Sequence, residues 1–286
     1  MLPIKIISHS QNESSIGIKM HLLIDWGNTL LKALLVKDLN LLITHPSELN
    51  PVSFESSEAF SDWLRAQAAS EALEYILIAS VREDQQTQQL IQQIEPFCQN
   101  LFISETSAVS AGVRCAYADP SKLGIDRWLG LLAGYNKQHT SAIIDIGSAI
   151  TVDVVNSKGN HLGGHIIPGE KLIKGSLKLT GKVFAEVRED NQSDFKLGST
   201  TGECVDFGIQ QLIEGYLRRV VLELVNQYQV ENWIFAGGGG LFWKKRLQSS
   251  LEVITNENSN FCSNIVFSGL VIDFLEKAER AQFKRL

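Results

Sequence analysis

One short pattern occurs twice in this chain, and that repetition limits its fold more than any other feature. The first copy reads His21-Leu22-Leu23-Ile24-Asp25-Trp26-Gly27-Asn28-Thr29 and continues into the apolar run Leu30 to Val36. The second reads Ala142-Ile143-Ile144-Asp145-Ile146-Gly147-Ser148-Ala149 and continues from Ile150 to Val155. Each is an apolar strand ending in Asp-x-Gly-(Asn/Ser), then a second strand and a polar turn, Lys37 to Asn40 or Asn156 to Asn160. A third strand is predicted after each turn, over Leu41 to Thr44 and over His161 to Ile167. The two aspartates lie 120 residues apart, a domain spacing and not a solenoid repeat.

Between and after the copies the apolar period becomes helical. Helices are predicted over Ser56 to Ala72, Asp84 to Cys98, Asp126 to Asn136, Gly202 to Tyr228 and Leu270 to Phe283. Buried strands are predicted over Leu73 to Ser80 and Trp233 to Ala236, the latter running into Gly237 to Gly240. Strands and helices mixed in two similar halves give an α/β protein of two domains. The expected divisions are a flexible extension over 1–19, an N-terminal domain over 20–138 and a C-terminal domain over 139–286.

Composition removes several classes of function. With 286 residues and 44% apolar content the chain can bury a core, and no run approaches the ~20 apolar residues that span a bilayer. A net charge of −6 argues against gripping nucleic acid or an anionic membrane. The four cysteines form no C-x-x-C pair, which argues against a zinc cluster and makes a reducing cytoplasm the default.

The Asp-x-Gly-Asn-Thr turn has a chemical reading. Glycine lets a phosphate approach the backbone, successive turn amides form an anion nest, and Thr29 adds a hydroxyl donor. The aspartate repels phosphate and makes sense as the holder of a cation or of water around one. An ordinary hairpin turn uses the same residues, but two copies at matching positions favour two phosphate hairpins, as in a kinase or ATPase that clamps a nucleotide between domains. The dinucleotide fingerprint fails, because Phe242 and Trp243 stand where a third glycine is needed. A P-loop fails too: Gly175 to Lys182 has the wrong spacing and ends on Val183. Leu123-Gly124-Ile125-Asp126-Arg127 opens a helix; Asp126 is either its first-turn acid or a base near a substrate hydroxyl, and Arg127 either a surface cation or an anion ligand. His161 and His165 suit a surface or packing role better than a metal pair, and Ser199-Thr200-Thr201 can serve simply as a helix cap.

Taken together, these segments resemble the type III pantothenate kinases of the actin/sugar-kinase/Hsp70 superfamily. The matching stretches are Asp25 to Thr29, Tyr117-Ala118-Asp119-Pro120, Leu123 to Arg127, Asp145 to Asp153, Gly163-Gly164 through Pro168-Gly169, and Thr201 with Gly208. The resemblance implies two actin-like, ribonuclease H-like domains with an ATP cleft between them. It implies phosphorylation of pantothenate to 4'-phosphopantothenate, the first step of coenzyme A biosynthesis, by a cytoplasmic homodimer that engages neither nucleic acid nor membrane. Asp126 would be the general base. Asp25, Trp26, Gly27, Asn28, Thr29, Leu30, Leu31, Lys32 and Ser148 would bind ATP, with Mg²⁺. Tyr117, Gly124, Ile125, Asp126, Arg127 and Thr201 would line the pantothenate site, and Asp145 would bind K⁺ or NH₄⁺. The alternative is a non-catalytic regulatory paralogue of the same family, like the Bvg accessory factor. Three departures stand out: Ser148 where the family usually has Thr, the run Gly237-Gly238-Gly239-Gly240-Leu241 where the family's glycine pair is commonly followed by Asp-Ala, and the N-terminal extension over 1–19.

Overall fold

The computed structural model describes residues 20–68, 73–178 and 195–283. The expectation for residues 1–19 therefore falls outside the described residues, as do positions 69–72 of the helix predicted over Ser56 to Ala72. The chain divides into two units. One holds the residues up to Gly134, Gly159–His161 and those from Asn264 onward; the other holds Tyr135–Lys158 and Leu162–Ser263.

The first unit contains β1 (Met20–Trp26), β2 (Leu31–Val36), α1 (Leu41–Thr44), β3 (Val52–Phe54), α2 (Ser57–Ala68), β4 (Leu73–Ser80), α3 (Asp84–Ile94), β5 (Cys98–Ile103), the small ribbon β6 (Val109–Ser110) and β7 (Val113–Arg114), and α4 (Ile125–Gly134). The chain continues through β8 (Ser141–Ile146), β9 (Ala149–Val155), β10 (His161–Pro168), α5 (Glu170–Lys178), α6 (Thr201–Tyr228), β11 (Asn232–Ala236), α7 (Gly240–Gln248) and β12 (Ser259–Phe261), and ends in α8 (Ile265–Phe283).

The two main sheets have the same plan. The first is ordered β3-β2-β1-β4-β5 and the second β10-β9-β8-β11-β12. In each, the first two strands form an antiparallel hairpin, and the fourth and fifth strands add in parallel. The sequence repeat is thus a repeat of topology.

Strand alternation explains the packing. Leu22, Ile24, Leu31 and Ala33 join Phe60 and Leu64 of α2 and Leu90 and Ile94 of α3 in one core. In the second unit Ile144, Ile146, Val152 and Val154 meet Ile209, Ile213, Leu217 and Val221 of α6. Each such side chain contributes roughly 1.5–3 kcal/mol on full burial, so these faces fix the registers of the strands. The α6 positions follow the 3.6 period, and its start is set by a capping box between Thr200 and Glu203.

Four expectations are corrected. Leu41 to Thr44 is a helical turn and not the third strand: Asp38 Oδ1 accepts from the Asn40 N–H at 2.9 Å and its side-chain amide at 3.0 Å, turning the chain, and β3 comes later. The helix from Asp84 stops at Ile94, because Pro96 cannot continue it; Glu95–Phe97 is a 3₁₀ turn and Cys98 opens β5. The last helix begins at Ile265, five residues ahead of the prediction. It also packs in the first unit, against α4, β4 and α1, and not in the C-terminal half. Asn264 anchors it by donating to Pro46 O and Leu49 O at 2.6 Å each, and the Ser268 hydroxyl donates to Leu42 O at 2.7 Å.

Candidate functional site

The two hairpins are built alike. Asp25 pairs with Lys32 across β1 and β2 and Trp26 with Leu31, leaving Gly27 to Leu30 as the loop, closed by the Gly27 N–H donating to Leu30 O at 3.0 Å. Asp145 pairs with Thr151 and Ile146 with Ile150, and the Gly147 N–H donates to Ala149 O at 2.9 Å. On their parallel sides Asp25 lies beside Ala79, and Asp145 beside Ala236. Each aspartate thus stands at the carboxyl end of a parallel strand, the edge where α/β sheets bind ligands.

Within the first loop, Asn28 and Thr29 are exposed, whereas Leu31 is 2% exposed and belongs to the core. Leu31 can therefore offer a ligand only its backbone. The Trp26 ring lies 5.8 Å from the Arg82 guanidinium and lines a cavity of about 330 Å³ with Ser57, Glu58 and glutamines of α3.

The second hairpin is held from two sides by glycines. The Gly169 N–H donates to Ser148 O at 2.9 Å, and a Cβ on Gly169 would lie 2.7 Å from that oxygen. Gly237 has φ +76°, and a Cβ there would overlap Asp145 Oδ1 and come within 2.5 Å of Ile146 O. The Gly239 N–H donates to Ile146 O at 2.9 Å, and Gly240 sits against the Phe261 ring. Of the glycine run only Gly238 meets open space; Gly237 and Gly239 serve packing around Asp145 and Ile146, and Gly240 packing against Phe261. Ser148 is exposed at the tip of the turn.

Tyr117, Gly124, Asp126 and Arg127 come together in the first unit. Asp119 caps the turn Pro120–Lys122, and hydrogen bonds from the Ser121 hydroxyl and backbone hold its carboxyl below the usual aspartate range. That turn delivers the chain into α4. Asp126 folds back in the first turn, where Oδ1 accepts from the Arg127 N–H at 2.8 Å. A Cβ on Gly124 would lie 2.7 Å from the same oxygen, so glycine is the residue that leaves room for the carboxylate. Arg127 is buried; its Nη1 donates to the Tyr117 hydroxyl at 3.1 Å, and its guanidinium lies 5.9 Å from the ring centroid. Ile125 points into the core, which limits it to backbone contacts.

Thr201 is the exposed first residue of α6 in the second unit, and the capping duty falls on Thr200 instead. Near it, Lys174 bonds Glu170 at 2.6 Å and Asp206 at 2.9 Å. Burial alone would push the Lys174 ammonium down, but the hydrogen bonds and charges of the two carboxylates outweigh it and hold the group above the ordinary lysine value. Among the described residues, no group of three or more His, Cys, Asp or Glu gathers in a metal-binding cluster, and no helix is long and apolar enough to cross a membrane.

His161 has the packing role that its sequence context suggests, but its partner could not be read there. It is 4% exposed, and its ring lies nearly parallel to that of Tyr117, at 13° and 6.1 Å between centroids. His165 is four residues along the same strand, about 13 Å away at ~3.3 Å per residue, and is 3.3 Å from the Tyr216 hydroxyl.

Two sheets of one strand order, each led by an Asp-x-Gly hairpin, define an actin-like ATPase fold, ribonuclease H-like in each half. A solved structure from Campylobacter jejuni, assigned to the Baf family of transcriptional activators, shares this fold at a TM-score of 0.54 and 17% identity, over 90% of this chain and 99% of that one. The chain belongs to the type III pantothenate kinase family, whose model matches residues 21–223. It is similar to the type III pantothenate kinase of Pseudoalteromonas atlantica, 31% identical over 257 residues, covering 87% of this chain and 95% of the relative. It is 41% identical to that of Alcanivorax borkumensis over 114 residues, 40% of this chain and 45% of the relative. The matched segment therefore spans less than half the length of the Alcanivorax protein.

Proposed function

We propose that this protein transfers the γ-phosphoryl group of ATP to the primary alcohol of pantothenate, giving 4'-phosphopantothenate and ADP. The observation that carries this reading is the Asp126 carboxylate in the first turn of α4, next to a buried arginine tied to Tyr117, in a chain of this family. The alcohol oxygen attacks the γ-phosphorus, the bond to the bridging oxygen of ADP breaks, and the alcohol proton passes to Asp126. Tyr117, Gly124, Ile125, Arg127 and Thr201 bind pantothenate, with Arg127 directed at its carboxylate. The hairpin from Asp25 to Lys32, together with Ser148, binds ATP, and its amides meet the phosphate oxygens.

Asp25 suits the Mg²⁺ that accompanies ATP, which supplies positive charge to the phosphates when bound. Asp145 suits a monovalent cation: its Oδ1 and the Ile146 carbonyl oxygen converge over the Gly237 α-carbon, a hard oxygen donor set where a Cβ would intrude. Activity is expected to require K⁺ or NH₄⁺. Asp145→Asn should weaken the response to K⁺ by roughly 10–100-fold, the scale on which disturbed ligand shells act. An ADP-release assay in potassium and in sodium buffer reads this, and equal rates in both would remove Asp145 from the role.

The reaction belongs in the cytoplasm, with neither nucleic acid nor membrane as partner, and we place it in a homodimer. Ile166 is 60% and Leu212 57% exposed in the second unit, and we place them in the contact between the two copies. Light scattering should give twice the chain mass, and Leu212→Glu should lower it toward that of a single chain. A wild-type mass of one chain would contradict the dimer. The function itself is tested by ADP release with pantothenate against a panel of other primary alcohols. Turnover with pantothenate alone is expected; activity with another alcohol only, or none at all, would displace the reading.

A further inference from the structure

We propose that His161 is a positioning residue for the alcohol substrate, acting through Tyr117. This rests on the reading above, in which Tyr117 and Arg127 bind pantothenate. The contacts form one chain. The Ala116 N–H points at His161 Nδ1 from 3.4 Å, which makes Nδ1 the acceptor and leaves the ring hydrogen on Nε2. The ring then lies nearly parallel to Tyr117, whose hydroxyl accepts from Arg127 Nη1. Tyr117 itself is only half-buried and sits in a run of bends with no helix or strand of its own to fix it. The Tyr117 N–H donates to Cys115 Sγ at 3.4 Å, a weak bond.

His161, in contrast, is rigidly placed. It opens β10, and the residues before it are tied to the same segment: the Arg114 N–H donates to Gly159 O at 2.7 Å, and Arg114 and Asn160 form a parallel bridge. Nothing in the chemistry assigned to the reaction needs an imidazole here. A buried, hydrogen-bonded ring beside a tyrosine in an irregular segment does what a leucine could not: it holds the ring plane, and so the hydroxyl that orients the guanidinium.

The test measures KM for each substrate separately in His161→Ala, His161→Phe and, as a control, His165→Ala. His161→Ala should raise KM for pantothenate roughly three- to tenfold, the range to which aromatic pairing energies convert, with kcat and KM for ATP little changed. His161→Phe keeps a flat ring and should recover most of the loss, and His165→Ala should match wild type. Unchanged KM for pantothenate in His161→Ala overturns the proposal, as does a parallel rise in both KM values that Phe does not rescue. Should wild-type protein show no pantothenate-dependent turnover, the kinase reading fails separately. A crystal structure of His161→Ala then decides the positioning role by itself: a Tyr117 ring displaced from Arg127 supports it, and an unmoved ring overturns it.

Discussion

Asp126→Asn should lower kcat by about 10²–10⁴-fold, the usual contribution of a positioned general base, while ATP binding stays near wild type. That loss corresponds to roughly 3–5 kcal/mol of barrier at 1.36 kcal/mol per tenfold. The substitution is clean because of the local geometry. Asn keeps an oxygen at the position where Asp126 Oδ1 accepts from the Arg127 N–H at 2.8 Å, so the first turn of α4 keeps its bond. It also keeps the size that fits over Gly124, where a Cβ would come within 2.7 Å of that oxygen. What is lost is the capacity to take a proton. Steady-state kinetics with a parallel nucleotide-binding titration checks this, and a variant with near-normal kcat would remove Asp126 from the role of base.

Gly269→Ala should destabilise the protein by about 3 kcal/mol, lowering Tm by roughly 6–12 °C. Helix propensity alone predicts the opposite sign, since alanine stabilises a helix interior by about 1 kcal/mol over glycine. The contact decides. A Cβ on Gly269 would overlap the Leu129 carbonyl oxygen and lie 2.5 Å from its carbon, backbone against side chain with nothing flexible to yield. The α4 and α8 helices must then part, and α4 carries Asp126 at its start. Thermal unfolding followed by circular dichroism measures the shift. A stabilised Gly269→Ala would mean that the two helices do not pack this closely.

The same contact shows where the sequence stops being legible. The hairpins can be read from sequence because Asp-x-Gly at a strand end is a local signal, repeated, with the apolar alternation of β1 and β8 on either side. The long helix α6 can be read because its period and its capping box lie within one segment. In contrast, the attachment of α8 to the first unit depends on Gly269 meeting Leu129 and on Asn264 reaching Pro46 and Leu49, partners far away in the chain. No local pattern encodes those meetings. Leu41 to Thr44 misleads for a related reason: four apolar or β-branched residues have no period long enough to separate strand from helix, and the Asp38 turn decides.

The candidate site divides in the same way. Asp126 and Arg127 are marked by sequence because they open a helix after a turn, and Asp126 bonds the N–H of the very next residue. The roles of Gly237 and Gly239 are hidden, since a glycine run after a strand reads as room for a ligand. Only the fold shows Asp145 and Ile146 filling that room. His161 is hidden because its partner Tyr117 lies on another segment, and a lone histidine in a strand gives no sign of what it faces.

The measurement that bears most directly on the central claim is ³¹P NMR of the reaction in potassium buffer with Mg²⁺–ATP, with and without pantothenate. A phosphomonoester resonance should grow with that of ADP only when pantothenate is present, with no inorganic phosphate. Release of inorganic phosphate at the same rate in both samples, or unchanged ATP in both, would contradict it.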